Sequence, residues 1–242
     1  MVTSAVVTAA NGQQVRVVGI DRPERRNAVD SETAEALHDA FVAFEAGDEP
    51  VAVLAGGPEA FCAGADLKDL PRLRPSGPLG PTRLHLSKPV VAAVEGWCVA
   101  GGLELALWCD LRVAARSARF GCLERRWGVP LVDGGTYRLP RIVGLGRALD
   151  LILTGREVDA TEALDIGLVN RVVDGGTALD AAVELAAAIG AFPQACVVAD
   201  RASVYDGLGR TEAEALARED ERGRAVILAP DFGAGVARFT SR

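Results

Sequence analysis

Residues 91–111 read VAAVEGWCVAGGLELALWCDL, and the fold turns on how this stretch is divided. Pro89–Val94 is an unbroken apolar run, the pattern of a short strand buried on both faces. Further on, Ala100, Gly101 and Gly102 stand directly before an apolar helix that carries Glu104 in its first turn. The helix dipole favours an anion there. The small residues ahead of it leave backbone amides bare at a helix N-terminus, where they can bind an anion, including one that develops only in a transition state. Glu104 lies three residues after Gly101 and so on the same side of the helix start.

Outward from this stretch, RVVGI (Arg16–Ile20) and VAVLAG (Val51–Gly56) read as strands. Between them, SETAEALHDAFVAFEA (Ser31–Ala46) has apolar residues at helical spacing, Ser31 as N-cap candidate, and Glu32 and Glu35 in the first turn. Short strands alternating with helices predict parallel βα units, hence an α/β core. The segment PRLRPSGPLGPTR, residues 71–83, holds four prolines and two glycines and reads as an irregular loop. From about Gly146 helices dominate: GRALDLILTG, then DATEALDIGL with a capping-box pattern at Asp159 and Glu162, then a helix over about 178–189. The chain divides into a core over 1–192 and a helical C-terminal region over 193–242. No internal repeat is visible.

A formal net charge of −7 over 242 residues argues against general nucleic-acid binding, despite a small basic cluster at Arg22, Arg25 and Arg26. Five cysteines (Cys62, Cys98, Cys109, Cys122, Cys196) sit mostly in apolar runs, with no CxxC pair and no secretory segment. Reduced core thiols in a cytoplasmic protein are expected. His38 and His85, the two histidines, lie far from each other and from any carboxylate cluster, which argues against a histidine metal site or a Ser-His-Asp triad. No apolar run reaches the roughly 20 residues of a membrane span, so no membrane partner is expected.

Three further features carry chemistry. AFCAGAD, residues 60–66, follows a buried strand, and its small residues let a ligand approach the backbone. Together with Ala100–Gly102 it can aim two N–H donors at one oxygen, the geometry of an oxyanion hole. Glu124, in FGCLERRWG, and Asp133, in VPLVDGGT, supply further acids. At these residues the sequence resembles the enoyl-CoA hydratase/isomerase family, the crotonase superfamily. VAAVEGWCVAGGLELALWCDL matches the family signature position for position. DRPERRNAV resembles its R-P-x-x-x-N-A segment and AFCAGADL its A-F-x-A-G-x-D loop, while GGTYRLPRIVG and LTGREVDATEALDIGLVNRVV resemble later segments. The resemblance runs from about Arg16 to Val173.

It implies a crotonase-like spiral of ββα turns, a homotrimer or hexamer formed through the C-terminal helices, and an acyl-CoA thioester as substrate. The amides of Ala63 and Gly101 would hold the thioester oxygen. Glu104 would activate water for attack at Cβ, and Glu124 would protonate Cα. Coenzyme A contacts would come from Arg25, Ala28, Ala63, Gly64, Ala65, Asp66 and Gly101, and, at the C-terminus, from Phe239 and Arg242. No metal and no redox cofactor are called for, because coenzyme A arrives with the substrate. The implied activity is hydration of a 2-enoyl-CoA. The alternatives are a double-bond isomerase using Glu124 or Asp133 as proton shuttle, and a CoA-thioester-binding protein without turnover. Two departures stand out. Arg125 or Arg126 beside Glu124 could pair with it and lower its pKa. Asp133 replaces a commonly small residue beside the acyl pocket, whose 67–88 wall is short and proline-rich.

Overall fold

Valine and alanine dominate the strands of the main sheet, as covered parallel strands require. The computed structural model describes residues 1–241. An antiparallel hairpin, β1 (Val2–Thr8) with β2 (Gln14–Ile20), precedes helix α1 (Ser31–Ala46). Then come β3 (Ala52–Ala55), β4 (Ala60–Cys62), β5 (Val90–Val94), β6 (Trp97–Val99), α2 (Gly101–Trp108), β7 (Leu111–Ala115) and β8 (Arg119–Gly121). The chain continues through α3 (Gly135–Val143), α4 (Leu145–Thr154), β9 (Val158–Asp159), α5 (Ala160–Asp165), β10 (Arg171–Val173) and α6 (Ala178–Gly190). Helices α7 (Gln194–Gly207), α8 (Glu212–Ile227) and α9 (Pro230–Thr240) complete it.

The strands come in consecutive pairs. The first of each pair, β3, β5 and β7, joins a six-stranded sheet of order β1-β2-β3-β5-β7-β10. The second, β4, β6 and β8, joins a four-stranded sheet of order β4-β6-β8-β9. The chain therefore coils, each turn adding one strand to each sheet, with parallel registers such as Ala52 opposite Val90 and Val91 opposite Leu111. Two corners are glycine-only. A Cβ on Gly56 would stand 2.2 Å from the Phe61 carbonyl oxygen, and one on Gly96 2.0 Å from that of Glu59. This structural repeat leaves no repeat in the sequence, because what recurs is a backbone bend between apolar strands.

Two local expectations are corrected. Asp30, not Ser31, caps α1, its carboxylate accepting from the Thr33 amide at 2.8 Å. The capping box at Asp159 is half formed: Asp159 accepts from the Glu162 amide at 2.9 Å, but the Glu162 carboxylate turns to Arg156. Strand β1 is a mostly exposed edge and so carries no buried apolar run in its sequence.

Helix α6 covers one face of the large sheet with Ala182, Leu185 and Ala186, while α1 and α2 pack on the other side with Leu37, Phe41 and Leu105. A buried arginine, Arg112, closes the end of α2. It donates to the carbonyls of Cys109 at 2.8 Å and Leu168 at 2.7 Å. Asp110 ties α7 to the core by accepting from Val90 N at 2.8 Å, Arg201 Nε at 2.9 Å and the Tyr205 hydroxyl at 2.6 Å.

Among the glycines, Gly102 leaves a Cβ the least room, where α2 meets β4. A Cβ on Gly102 would lie 1.9 Å from the Cys62 carbonyl oxygen. That neighbour is backbone and cannot swing away. Gly102→Ala is therefore expected to cost about 3 kcal/mol or more by overpacking, a fall in Tm of about 6–12 °C for a chain of this length. Calorimetry checks this; an unchanged Tm would show that α2 can slide off the β4 strand.

Candidate active site

The loop after β4 and the start of α2 meet backbone to backbone. Gly64 has φ +95, and a Cβ there would lie 2.8 Å from the Gly101 nitrogen. A Cβ on Gly101 would stand 3.6 Å from the Ala65 nitrogen. Ala100, just before the helix, adopts φ 53 and ψ −130, a conformation costly for a residue with a side chain. Its amide donates to the Gly121 carbonyl at 2.9 Å, which holds the turn. Stored strain of this kind clusters where backbone direction matters to a ligand.

Which amides remain bare differs from the sequence expectation. The Ala63 N–H already donates to the Arg26 carbonyl at 3.1 Å, so Ala63 is not an oxyanion donor. That bond joins the loop to the 22–28 turn. Asn27 secures the turn, its Nδ2 donating to the Ala60 carbonyl at 2.7 Å and its Oδ1 accepting from the Arg22 amide at 2.8 Å. The amides of Ala65 and Gly101 have no acceptor among the described residues. They are the adjacent, open donor pair, one on the loop and one on the first turn of α2.

Three carboxyl groups face the same region. Glu104 is buried, and its Oε1 accepts from the amides of Gly135 at 2.7 Å and Asp133 at 2.9 Å. Burial pushes its pKa up to about 7; the two amides oppose this, and the like charges of Asp133 and Glu124 add to it. Glu124 projects from a 3-10 turn, Leu123–Trp127. Both its carboxylate oxygens are buried without a hydrogen-bond partner among the described residues, and burial raises its pKa. Neither neighbouring arginine forms an ion pair with it. Arg125 donates to the Ile152 carbonyl at 3.3 Å, and Arg126 donates to the Gly155 carbonyl at 3.1 Å and to Glu157. Arg125 lowers the Glu124 pKa only partially against burial. Asp133 is buried too, but its Oδ1 is occupied by the Leu79 amide at 3.1 Å and by the Thr82 hydroxyl.

Glu104, Glu124, Asp133, Ala65 and Gly101 line one cavity of about 500 Å³. Beyond the acids its walls are apolar, with Leu67, Leu70, Leu73, Leu79, Trp127 and Val132 among the lining residues. Cys62 and Cys122 are buried beside it, and burial holds both thiols up at about 12, so they act as small apolar groups rather than nucleophiles. Among the described residues no group of three or more His, Cys, Asp or Glu could hold a metal ion.

The other expected ligand residues lie elsewhere. Ala28 is buried, with its carbonyl accepting from Arg22 at 2.5 Å. Asp66 is bound by Arg22 at 3.4 Å and by the Lys68 amide at 3.0 Å, a loop-fixing role. Arg25 is exposed at the turn, and Phe239 on α9 is 80% exposed; neither lines the cavity. Arg242 lies outside the described residues. Sequence reasoning missed Leu79 and Thr82 as partners of Asp133. The only signal was the run of turn residues around Gly77 and Gly80.

A family model for enoyl-CoA hydratase/isomerase matches residues 10–242. Enoyl-CoA hydratase EchA19 of Mycobacterium tuberculosis is 36% identical over 239 residues, covering 93% of this chain and 90% of the relative. The crystal structure of an enoyl-CoA hydratase from M. tuberculosis H37Rv superimposes with TM-score 0.92 at 35% identity, covering 99% of this chain and 96% of that one. An enoyl-CoA hydratase from Bacillus anthracis superimposes with TM-score 0.88 at 31% identity, covering 98% and 96%. With the family model matching nearly the whole chain and the coiled two-sheet fold superimposing on these structures, the chain belongs to the enoyl-CoA hydratase/isomerase family.

Proposed function

We propose that this protein is an enoyl-CoA hydratase, adding water across the double bond of a 2-enoyl-CoA thioester. One observation carries the reading: an open pair of backbone donors shares an apolar cavity with two buried glutamates whose hydrogen bonding is opposite in kind. The thioester oxygen accepts from the Ala65 and Gly101 amides, which draws electrons from the conjugated double bond. A donor of this kind contributes about 3 kcal/mol of transition-state stabilisation. Glu104, fixed through one carboxylate oxygen by two amides, keeps the other for a water molecule. It takes a proton as the water oxygen bonds to Cβ. The electron pair moves onto the thioester oxygen and returns to form the bond between Cα and a proton given by Glu124. The product is a 3-hydroxyacyl-CoA, and passage of one proton from Glu104 back to Glu124 restores the pair.

The isomerase reading gains less support. It would use Glu124 or Asp133 as a shuttle, and one oxygen of the Asp133 carboxyl is committed to Leu79 and Thr82. Within the hydratase reading coenzyme A arrives with the substrate and no metal or redox cofactor is called for. The same proposal includes a homotrimer, alone or paired, built through residues 193–242, and a cytoplasmic location. Exposed Leu228, Phe232 and Phe239 on and beside α9 suit such an interface. Among the described residues no single helix is long and apolar enough to cross a membrane.

Mixing the purified protein with crotonyl-CoA is expected to bleach the conjugated-thioester ultraviolet band and yield 3-hydroxybutyryl-CoA. Glu104→Gln and Glu124→Gln should each lower kcat by about 10²–10⁴-fold, the usual weight of general acid–base groups. Full activity in either variant would remove that carboxyl from the chemistry. The active pair holds one proton between two coupled groups. Since Glu104 is raised to about 7 and Glu124 is also raised, kcat/KM should rise as the first proton leaves and fall as the second does, giving a bell with both limbs above the ordinary carboxylate range. A flat profile from acid to alkaline pH would count against the pair. Light scattering should return three or six times the 25.2 kDa chain mass; a monomer would overturn the assembly.

A further inference from the structure

Asp133 touches more of the site than any single role in hydration uses. Its Oδ1 accepts from the Leu79 amide at 3.1 Å and from the Thr82 hydroxyl. Its own amide donates to Glu104 Oε1 at 2.9 Å, and its carbonyl accepts from Arg138 Nη1 at 2.8 Å. Arg138 also donates to the Thr82 carbonyl at 2.6 Å, and Arg83 reaches the Val132 carbonyl at 2.8 Å. The 77–82 turn thus wraps the carboxylate and is stapled to its chain neighbours. Gly77, at φ +100, is part of the wrap: a Cβ there would lie 2.0 Å from Thr82 Oγ1 and 2.8 Å from Asp133 Oδ1. Leu79, whose amide the acid holds, presses its side chain against the oxyanion donor. A Cβ on Gly101 would fall 2.5 Å from Leu79 Cδ1.

From this we infer that Asp133 is a positioning residue, a strut whose carboxylate holds the acyl-pocket wall at Leu79 while its main chain holds Glu104. The inference rests on the hydratase reading for its kinetic consequences. Its structural content stands apart from that reading. The strut sets three things at once: the wall that the acyl chain meets, the side chain packed on Gly101, and the orientation of the base. A hydrogen-bond acceptor at this position is required, and an acid is not.

The test compares Asp133→Asn, Asp133→Ala and Thr82→Val in the full chain. Asparagine keeps an oxygen that can accept from Leu79 and Thr82; alanine keeps none; Thr82→Val removes one donor and leaves Asp133 in place. Two readouts are needed: kcat and KM with crotonyl-CoA and with 2-decenoyl-CoA, and hydrogen exchange at the Leu79 amide without substrate. Asp133→Asn should retain kcat within about threefold, with the Leu79 amide still protected. In Asp133→Ala the Leu79 amide should exchange at least about tenfold faster, a loss of the size one hydrogen bond carries. KM should then rise more for 2-decenoyl-CoA than for crotonyl-CoA, because the longer chain meets more of the released wall. Thr82→Val should fall between the two.

If asparagine is as inactive as alanine while Leu79 stays protected, Asp133 is a proton carrier and the strut is overturned. Unchanged Leu79 exchange in Asp133→Ala overturns it as well. Should the parent protein turn over no 2-enoyl-CoA, the hydratase reading fails, and the exchange comparison still decides the strut.

Discussion

Everything at the site depends on one close approach, the start of α2 lying against the carbonyl that ends β4. Only glycine at position 102 permits it, and the approach of Gly64 to Gly101 extends the same contact. Because the two backbones touch, the amides of Ala65 and Gly101 end up side by side without partners. The helix dipole then adds to whatever those amides do. An ordinary side-chain-mediated packing of α2, at the spacing typical of helices on strands, would have left these donors too far apart to share one oxygen.

The same burial that makes the contact dry governs the acids. A carboxyl group moved from water into an apolar surround loses hydration, and unless hydrogen bonds or opposite charge compensate, its neutral form gains. Glu104 is pushed up to about 7 in spite of its two amide bonds; Glu124, whose carboxylate oxygens have no hydrogen-bond partner among the described residues, is raised by burial too. Two side chains of identical chemistry are thereby set in different surroundings. The arginines next to Glu124 in sequence do not erase the difference, because the 3-10 turn directs them outward to the carbonyls of Ile152 and Gly155.

Much of this was legible in the residues. The apolar run at Pro89–Val94 and the Ala-Gly-Gly before Glu104 are local patterns, and local patterns survive folding. The choice between Ala63 and Ala65 was not legible. Both are alanines in a small-residue loop, and what separates them is where the Arg26 carbonyl lies, a matter of distant chain and of the left-handed turn at Arg26 and Asn27. Likewise the partners of Asp133 come from a loop 51 to 54 residues away, with no periodicity to announce them. The repeat of the coil was hidden for a related reason: Gly56 and Gly96 turn equivalent corners with dissimilar neighbours.

The coil has a consequence for how such a protein can change over generations. The 67–88 segment is an excursion from one turn of the spiral, and Val90 meets Ala52 in register whatever the excursion contains. Loop-closure entropy is forgiving, about 0.6 kcal/mol for each doubling of length. Descendants can thus redraw the apolar wall of the cavity while the contact of α2 with β4 is inherited intact. Asp133 sets the limit on that freedom: a lineage that discards the turn around it must also find something else to satisfy a buried acid, or give the acid up.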